Sequence, residues 1–219
     1  DPALGGASRA LGDVGSHWLD LVQFVTCSPV VSVCADFRTV IPTRRKGTLA
    51  GSTFQSQCLV AEDANEQIAV TTEDCAALLL RFANGASGTM VVSQVSVGRK
   101  NRLWFEVDGS QQAVAWDSQH PEHLWIGHRE RANEVLGRDP SLVDPEVRPY
   151  VHLPGGHPEG WQDALRNLMF NIYSFILQRK DPRVENPSFA TFVDGHRVLR
   201  LVEAAMESSR ERKWVQIAQ

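Results

Sequence analysis

The sequence predicts an α+β fold, an open and largely antiparallel β-sheet with helices packed on one face, over a single domain spanning residues 1–219. Three observations lead there. Two stretches of strand-forming residues turn back on themselves at the hairpin dipeptides Asn84-Gly85 and Asp108-Gly109. Segments near both ends carry apolar residues at the 3.6-residue period of a helix. The order helix, strand, hairpins, helix, helix, strand gives an open sheet covered on one side.

The first helix is predicted over Asp13 to Val25, with Val14, Trp18, Leu21 and Val25 inward and Gly5-Gly6 as a flexible entry. A half-buried strand follows over Val31 to Ile41: Val31, Val33, Ala35, Phe37 and Ile41 share one face, and Ser32, Asp36 and Arg38 the other. Thr43 to Gln57, polar and carrying Arg44 to Lys46, reads as a loop. Hairpins then run from Cys75 to Phe82 and Thr89 to Val97, and from Arg102 to Val107 and Ala113 to Trp116, forming one antiparallel meander. Leu124 to Ile126 adds a short strand, and the proline-containing stretch Asn133 to Tyr150 reads as an irregular crossing. Trp161, Leu165, Leu168, Ile172 and Phe175 mark an amphipathic helix expected to pack on the sheet. A last helix over Thr191 to Glu207 turns Val198, Leu201, Val202 and Ala205 inward, and Trp214 to Ile217 closes as a strand.

Composition narrows the function classes. With 42% hydrophobic and 22% charged residues the chain is of ordinary globular type. A net charge of -4 and the lack of a dense Lys/Arg stripe remove the electrostatic footprint of a nucleic-acid binder. Cys27, Cys34, Cys58 and Cys75 lack CxxC spacing and are expected to be reduced and mostly buried, in keeping with a cytoplasmic protein. No apolar run approaches the roughly 20 residues needed to cross a bilayer, so no membrane partner is expected. The start at Asp1-Pro2 has the look of a cut end, with any targeting signal expected upstream.

Asp13 and His17 stand four apart on the first helix, one turn apart on one face, with Val14, Trp18 and Leu21 on the opposite side. A carboxylate beside an imidazole fixes its tautomer and raises its basicity, as a general base accepting a hydroxyl proton requires. A capping or solvated pair has the same spacing.

The surrounding residues, GGASRALGDVGSHWLDL at Gly5 to Leu21, resemble the sugar-dehydrogenase family of glucose-fructose oxidoreductase, inositol dehydrogenase and the rhizopine-catabolism protein (Gfo/Idh/MocA), whose second domain opens with a Gly-rich turn and a D-x-x-x-H helix. The resemblance continues through LRFANGASGTMVVSQ, NRLWFEVDGS, LPGGHPEGWQDAL and VLRLVEAAMESSRERKWVQI. It implies a dihydrodipicolinate-reductase-like C-terminal domain that binds substrate and assembles the protein. It also implies transfer of a hydride between NAD or NADP and a sugar or cyclitol hydroxyl or carbonyl. His17 matches the family's proton acceptor or donor and Asp13 its support, with a Lys of the cofactor domain assisting. Ala7 stands where the family usually has a third glycine. No GxGxxG follows a strand, and Gly155-Gly156 with Gly160 is interrupted by His157-Pro158, so the cofactor is expected to be bound mainly by an N-terminal domain absent from this chain, which alone is expected to be inactive.

His157, in a turn before a helix, and Arg9, four residues ahead of Asp13, are candidate substrate-binding residues; each also reads as an ordinary turn or solvated side chain. No metal is expected, because His120, His123 and His128 lack a zinc-type partner set. Ser16 cannot use its neighbour His17 as a base, since adjacent helical residues point about 100° apart, and GxSxG is absent. Trp104, Trp116, Trp125 and Trp161 read as core or interface. A homodimer or homotetramer through the exposed sheet face is expected. The rival readings are a non-catalytic binding or assembly module, and a relative that uses NAD for carbohydrate hydrolysis or elimination.

Overall fold

The computed structural model describes residues 5–45 and 67–217. It shows the α+β class read from the sequence, with every strand pairing among the described residues antiparallel. The chain forms two compact units, residues 1–97 with 197–219, and residues 98–196.

In the first unit, β1 (Val30–Arg38), β4 (Cys75–Phe82), β5 (Ser87–Ser93) and β10 (Val215–Gln216) form one sheet in the order β10-β1-β4-β5. Pairing sets Val33 opposite Leu80 and Ala35 opposite Leu78. Leu78 in turn faces Met90, and Ala76 faces Val92, so these side chains share one face. That face is buried in a single cluster with Leu11, Leu19 and Val22 from the first helical segment and Leu201, Val202 and Ala205 from the last. The same alternation leaves Leu79 and Val91 exposed on the opposite face. The last helix, α3 (Phe192–Glu211), buries Val198, Leu201, Val202 and Ala205, the stripe read from its period.

Two hydroxyls of α3 close an edge that would otherwise be bare. Ala35 N–H donates to Ser208 Oγ at 2.9 Å and Phe37 N–H to Ser209 Oγ at 3.0 Å, while Ser208 Oγ donates to Lys213 O. Buried Ser208 is thereby satisfied as acceptor and donor, and β1 keeps partners where β10 has ended.

Several expectations shift. A π-helical turn, Leu11–Gly15, precedes α1 (Ser16–Thr26), with Ser16 N–H bonded five residues back to Leu11 O. The wider turn rotates the buried stripe to Leu11, Gly15, Leu19 and Val22, leaving Val14 and Val25 more than a third exposed instead of inward. Gly15 sits where a Cβ would lie 2.7 Å from Leu11 Cδ1 and 3.0 Å from Met90 Cε, which lets this turn approach the sheet. Part of the predicted loop, β2 (Thr43–Arg45), pairs with β3 (Gln67–Ala69); the loop's remainder and Cys58 lie outside the described residues. Cys27, Cys34 and Cys75 are free thiols, with Cys27 exposed and not buried as expected.

The second unit holds β6 (Trp104–Asp108), β7 (Gln112–Asp117), β8 (His123–His128) and β9 (Glu134–Gly137) in sequential order. The two hairpins therefore belong to separate sheets and not to one meander. The first turn has Gly85 at φ 87°, but Asn84 keeps a negative φ. The turn spans Ala83, Asn84 and Gly85, with Phe82 N–H donating to Ala86 O at 2.9 Å and Gly85 N–H to Phe82 O at 3.0 Å, one residue longer than the two-residue turn that Asn-Gly signals. The second turn lies beyond Asp108, which ends β6: Gly109 N–H donates to Gln112 O at 2.9 Å across Ser110-Gln111, and a Cβ on Gly109 would meet that same oxygen at 2.8 Å. The segment read as irregular contains β9 and a 3₁₀ turn, Arg148–Tyr150. Helix α2 (Trp161–Leu177) buries no residue fully, Trp161 being 74% exposed: its period marks an apolar face but cannot say what covers it. No helix among the described residues is long and apolar enough to cross a membrane.

Candidate functional site

The D-x-x-x-H segment stands at the end of the first unit's sheet where β4 begins and β5 finishes. Backbone pairing ties that end together: Asp74 N–H donates to Arg38 O at 3.0 Å and Gln94 N–H to Asp74 O at 2.9 Å. From the residue after β5, Gln94 Nε2 donates to Asp13 Oδ2 at 2.9 Å, so the Asp13 carboxylate is held by the sheet as well as by its own turn. Asp13 lies in the π-helical turn and His17 in the first turn of α1, and both side chains are exposed. Ser16 Oγ donates to Gly12 O at 2.9 Å and Asp13 O at 3.2 Å, satisfying carbonyls that the π-helical geometry displaces from regular partners. Ser16 thus serves the backbone.

Two buried carboxylates that sequence reasoning missed underlie this turn. Glu73 Oε1 accepts from Ser8 Oγ at 2.8 Å, Arg9 N–H at 2.9 Å and Leu11 N–H at 2.9 Å. Asp74, with no exposed surface, accepts from Val40 N–H at 2.7 Å and Ile41 N–H at 3.0 Å, and pairs with Arg9 Nη2 at 3.4 Å. Burial acts to raise the Asp74 carboxyl, but the Val40 and Ile41 hydrogen bonds and the Arg9 and Arg44 charges outweigh it, and the group is held below the ordinary carboxylate value. The available signal was a Glu-Asp pair directly ahead of an apolar strand. Its donors lie more than sixty residues away for Glu73, beyond any local pattern.

Of the four candidates read from sequence, the fold brings Arg9, Asp13 and His17 onto consecutive turns of one segment. Arg9 is engaged by Asp74 and keeps a quarter of its side chain exposed. His157 belongs to the other unit. Its loop is shaped by Arg138, whose Nε meets Glu122 Oε2 at 2.7 Å, whose Nη1 donates to Leu153 O at 3.0 Å and approaches Glu159 Oε1 at 3.2 Å, and whose Nη2 donates to His157 O. Glu159, 8% exposed, also accepts from His152 N–H at 2.8 Å, and its own N–H donates to Glu122 Oε1. This clamp fixes the loop backbone and leaves the His157 side chain exposed.

His128, one of three histidines weighed as metal ligands, has its Nε2 at 2.5 Å from Glu134 Oε1. Trp116 and Phe105 pack with ring centroids 6.2 Å apart. No parallel strand pair, and hence no βαβ dinucleotide cradle, is built among the described residues.

Comparison with known proteins gives concordant matches. The family model described as the GFO/IDH/MocA C-terminal domain matches residues 1–115. A levoglucosan dehydrogenase from Pseudarthrobacter phenanthrenivorans is 24% identical over 212 residues, covering 97% of this chain and 52% of that protein. The crystal structure of an oxidoreductase domain protein from Kribbella flavida superposes with a TM-score of 0.79 at 28% identity, covering 98% of this chain and 52% of its own. An inositol dehydrogenase homolog complexed with NAD+ from Azotobacter vinelandii shares the fold, with a TM-score of 0.78 at 23% identity over 99% of this chain and 50% of its own. The chain spans about half the length of these relatives.

Proposed function

Since the chain belongs to the GFO/IDH/MocA C-terminal domain family, we propose that it is the substrate-binding and oligomerisation part, over residues 1–219, of an NAD(P)-dependent oxidoreductase acting on a sugar or cyclitol. The observation that carries this reading is the exposed Asp13 and His17 pair on a turn anchored to the end of a sheet. NAD or NADP is proposed to be held mainly by another part of the protein, since the relatives are about twice the length of this chain. When bound there, the nicotinamide supplies the hydride acceptor or donor.

His17 is the proposed acid/base: its imidazole takes up the hydroxyl proton when an alcohol is oxidised and returns it in the reverse direction. Asp13, itself fixed by Gln94, orients that imidazole. Arg9, on the segment that carries Asp13 and His17, is a proposed contact to substrate hydroxyls, and His157 is kept as a proposed substrate-binding residue of its own unit. The names of the levoglucosan and inositol dehydrogenase relatives support an anhydrosugar, sugar or cyclitol as substrate. A cytoplasmic setting goes with this reading, and the free thiols at Cys27, Cys34 and Cys75 are compatible with it.

Assembly is proposed through the open sheet face of the first unit, where Leu79 is 48% and Val91 75% exposed. Light scattering is expected to give a dimer or tetramer, and Leu79→Asp a smaller species; a wild-type monomer at tens of micromolar would contradict this. The activity itself is tested by following NAD(P)H formation by the full-length protein with a panel of anhydrosugars, aldoses and inositols. Turnover of at least one is expected. Inertness towards all of them, with cofactor bound, would favour a non-catalytic assembly module.

A further inference from the structure

We infer that Glu73 is the positioning residue of the Asp13 and His17 segment, a buried carboxylate that caps the start of the π-helical turn from a distant part of the chain and so sets where both side chains stand. The inference rests on the reading of His17 as the acid/base.

The start of a helix leaves its first backbone N–H groups without partners, and a local Ser, Thr, Asp or Asn usually supplies the acceptor. Here the position ahead of the turn is Ala10, and no side chain caps from it. Glu73 takes that role. Its Oε1 collects Arg9 N–H, Leu11 N–H and Ser8 Oγ within 2.9 Å, and its backbone oxygen accepts from Ala10 N–H at 3.3 Å. Ser8 Oγ, while donating to Glu73, accepts from Gly12 N–H at 2.9 Å. Four consecutive amides, from Arg9 to Gly12, are thus referred directly or through one hydroxyl to a single residue that is only 4% exposed.

The negative charge at a helix start is also electrostatically favourable. The adjacent Asp74 grips the Arg9 side chain, and its backbone oxygen holds Gln94, whose side chain holds Asp13. Glu73 therefore controls the turn from below, and its neighbour controls the carboxylate of the pair from the side. Since a displacement of about 1 Å at a reacting group can cost on the order of a hundredfold in rate, a residue that never touches substrate can govern turnover through this turn.

The test combines two readouts on Glu73→Ala and Glu73→Gln. In the full-length protein, Glu73→Ala is expected to lower kcat by about ten- to a hundredfold. KM for the nicotinamide cofactor should stay unchanged. Glu73→Gln, which retains an acceptor oxygen but loses the charge, is expected to fall between this variant and wild type. Amide hydrogen exchange of the full-length protein is expected to show faster exchange at Arg9 and Leu11 in the same rank order. Wild-type kcat or wild-type protection in Glu73→Ala overturns the inference; if that variant does not fold, either quantity at wild-type level in Glu73→Gln does so. Should His17→Asn keep full turnover, the acid/base reading fails by itself, and the Arg9 and Leu11 protection still decides whether Glu73 holds the segment.

Discussion

Replacing His17 with Asn in the full-length protein is expected to lower kcat by about a hundredfold to ten-thousandfold, with KM for the sugar or cyclitol little changed. Asn retains a hydrogen-bonding side chain of similar reach, so it can still meet a substrate hydroxyl, but it cannot take up the proton that leaves as a hydroxyl becomes a carbonyl. His17 is exposed on the first turn of α1, so the replacement removes no core contact and folding should be preserved. Asp13→Asn is expected to act in the same direction with a smaller effect. It weakens the proposed support of the imidazole but leaves the imidazole present and keeps an atom for Gln94 to bond. Steady-state kinetics of the two variants, with circular dichroism as the control for folding, measures both.

The second large effect is on stability. Asp74→Ala is expected to cost about 2–4 kcal/mol, because it strips the Val40 and Ile41 amides of their acceptor and leaves the Arg9 guanidinium without its counter-charge. The sign of the pH dependence follows from the direction of the shift. The Asp74 carboxyl sits below its ordinary value of 3.8 in the folded chain, so its stabilising contribution is fully present above that value. It is lost as pH falls through the lower, folded-state value. Urea unfolding at neutral and acidic pH should therefore show wild type and Asp74→Ala converging as the solution is acidified. Equal stability of the two at neutral pH would show that the buried contacts of Asp74 contribute nothing net.

Some parts of this molecule were legible from local pattern alone. The stripe Val198, Leu201, Val202 and Ala205 is buried as its period implies, because an uninterrupted α-helix keeps one face on one side. The place of the Asn84-Gly85 turn was equally readable, since the positive φ at Gly85 admits few residues besides glycine, though the turn is one residue longer than that pair signals. The first helix defeated the same logic. One π-helical turn changes the hydrogen-bond span from four residues to five, so Leu11, Leu19 and Val22 are buried where Val14 and Val25 were expected. Nothing in the period signals that insertion. Separation of the two hairpins into different sheets was also hidden, because each hairpin is set by its own turn while the pairing between hairpins is set at long range. At the candidate site, Asp13 and His17 were visible as a spaced pair. Glu73, Asp74 and Gln94 were not, because a buried carboxylate or amide is recognised by its donors and acceptors, and those come from remote parts of the chain.

The central claim is that His17 handles the hydroxyl proton, and the pH dependence of kcat/KM for sugar or cyclitol oxidation tests it most directly when wild type and His17→Asn are compared over one series of pH values. A base must be neutral to accept a proton, so the wild-type value is predicted to rise with pH and level off, while the variant stays low and flat across the same range. A His17→Asn protein with native circular dichroism, near-normal turnover and the wild-type pH profile would contradict the assignment and leave His17 as a surface residue of the helix.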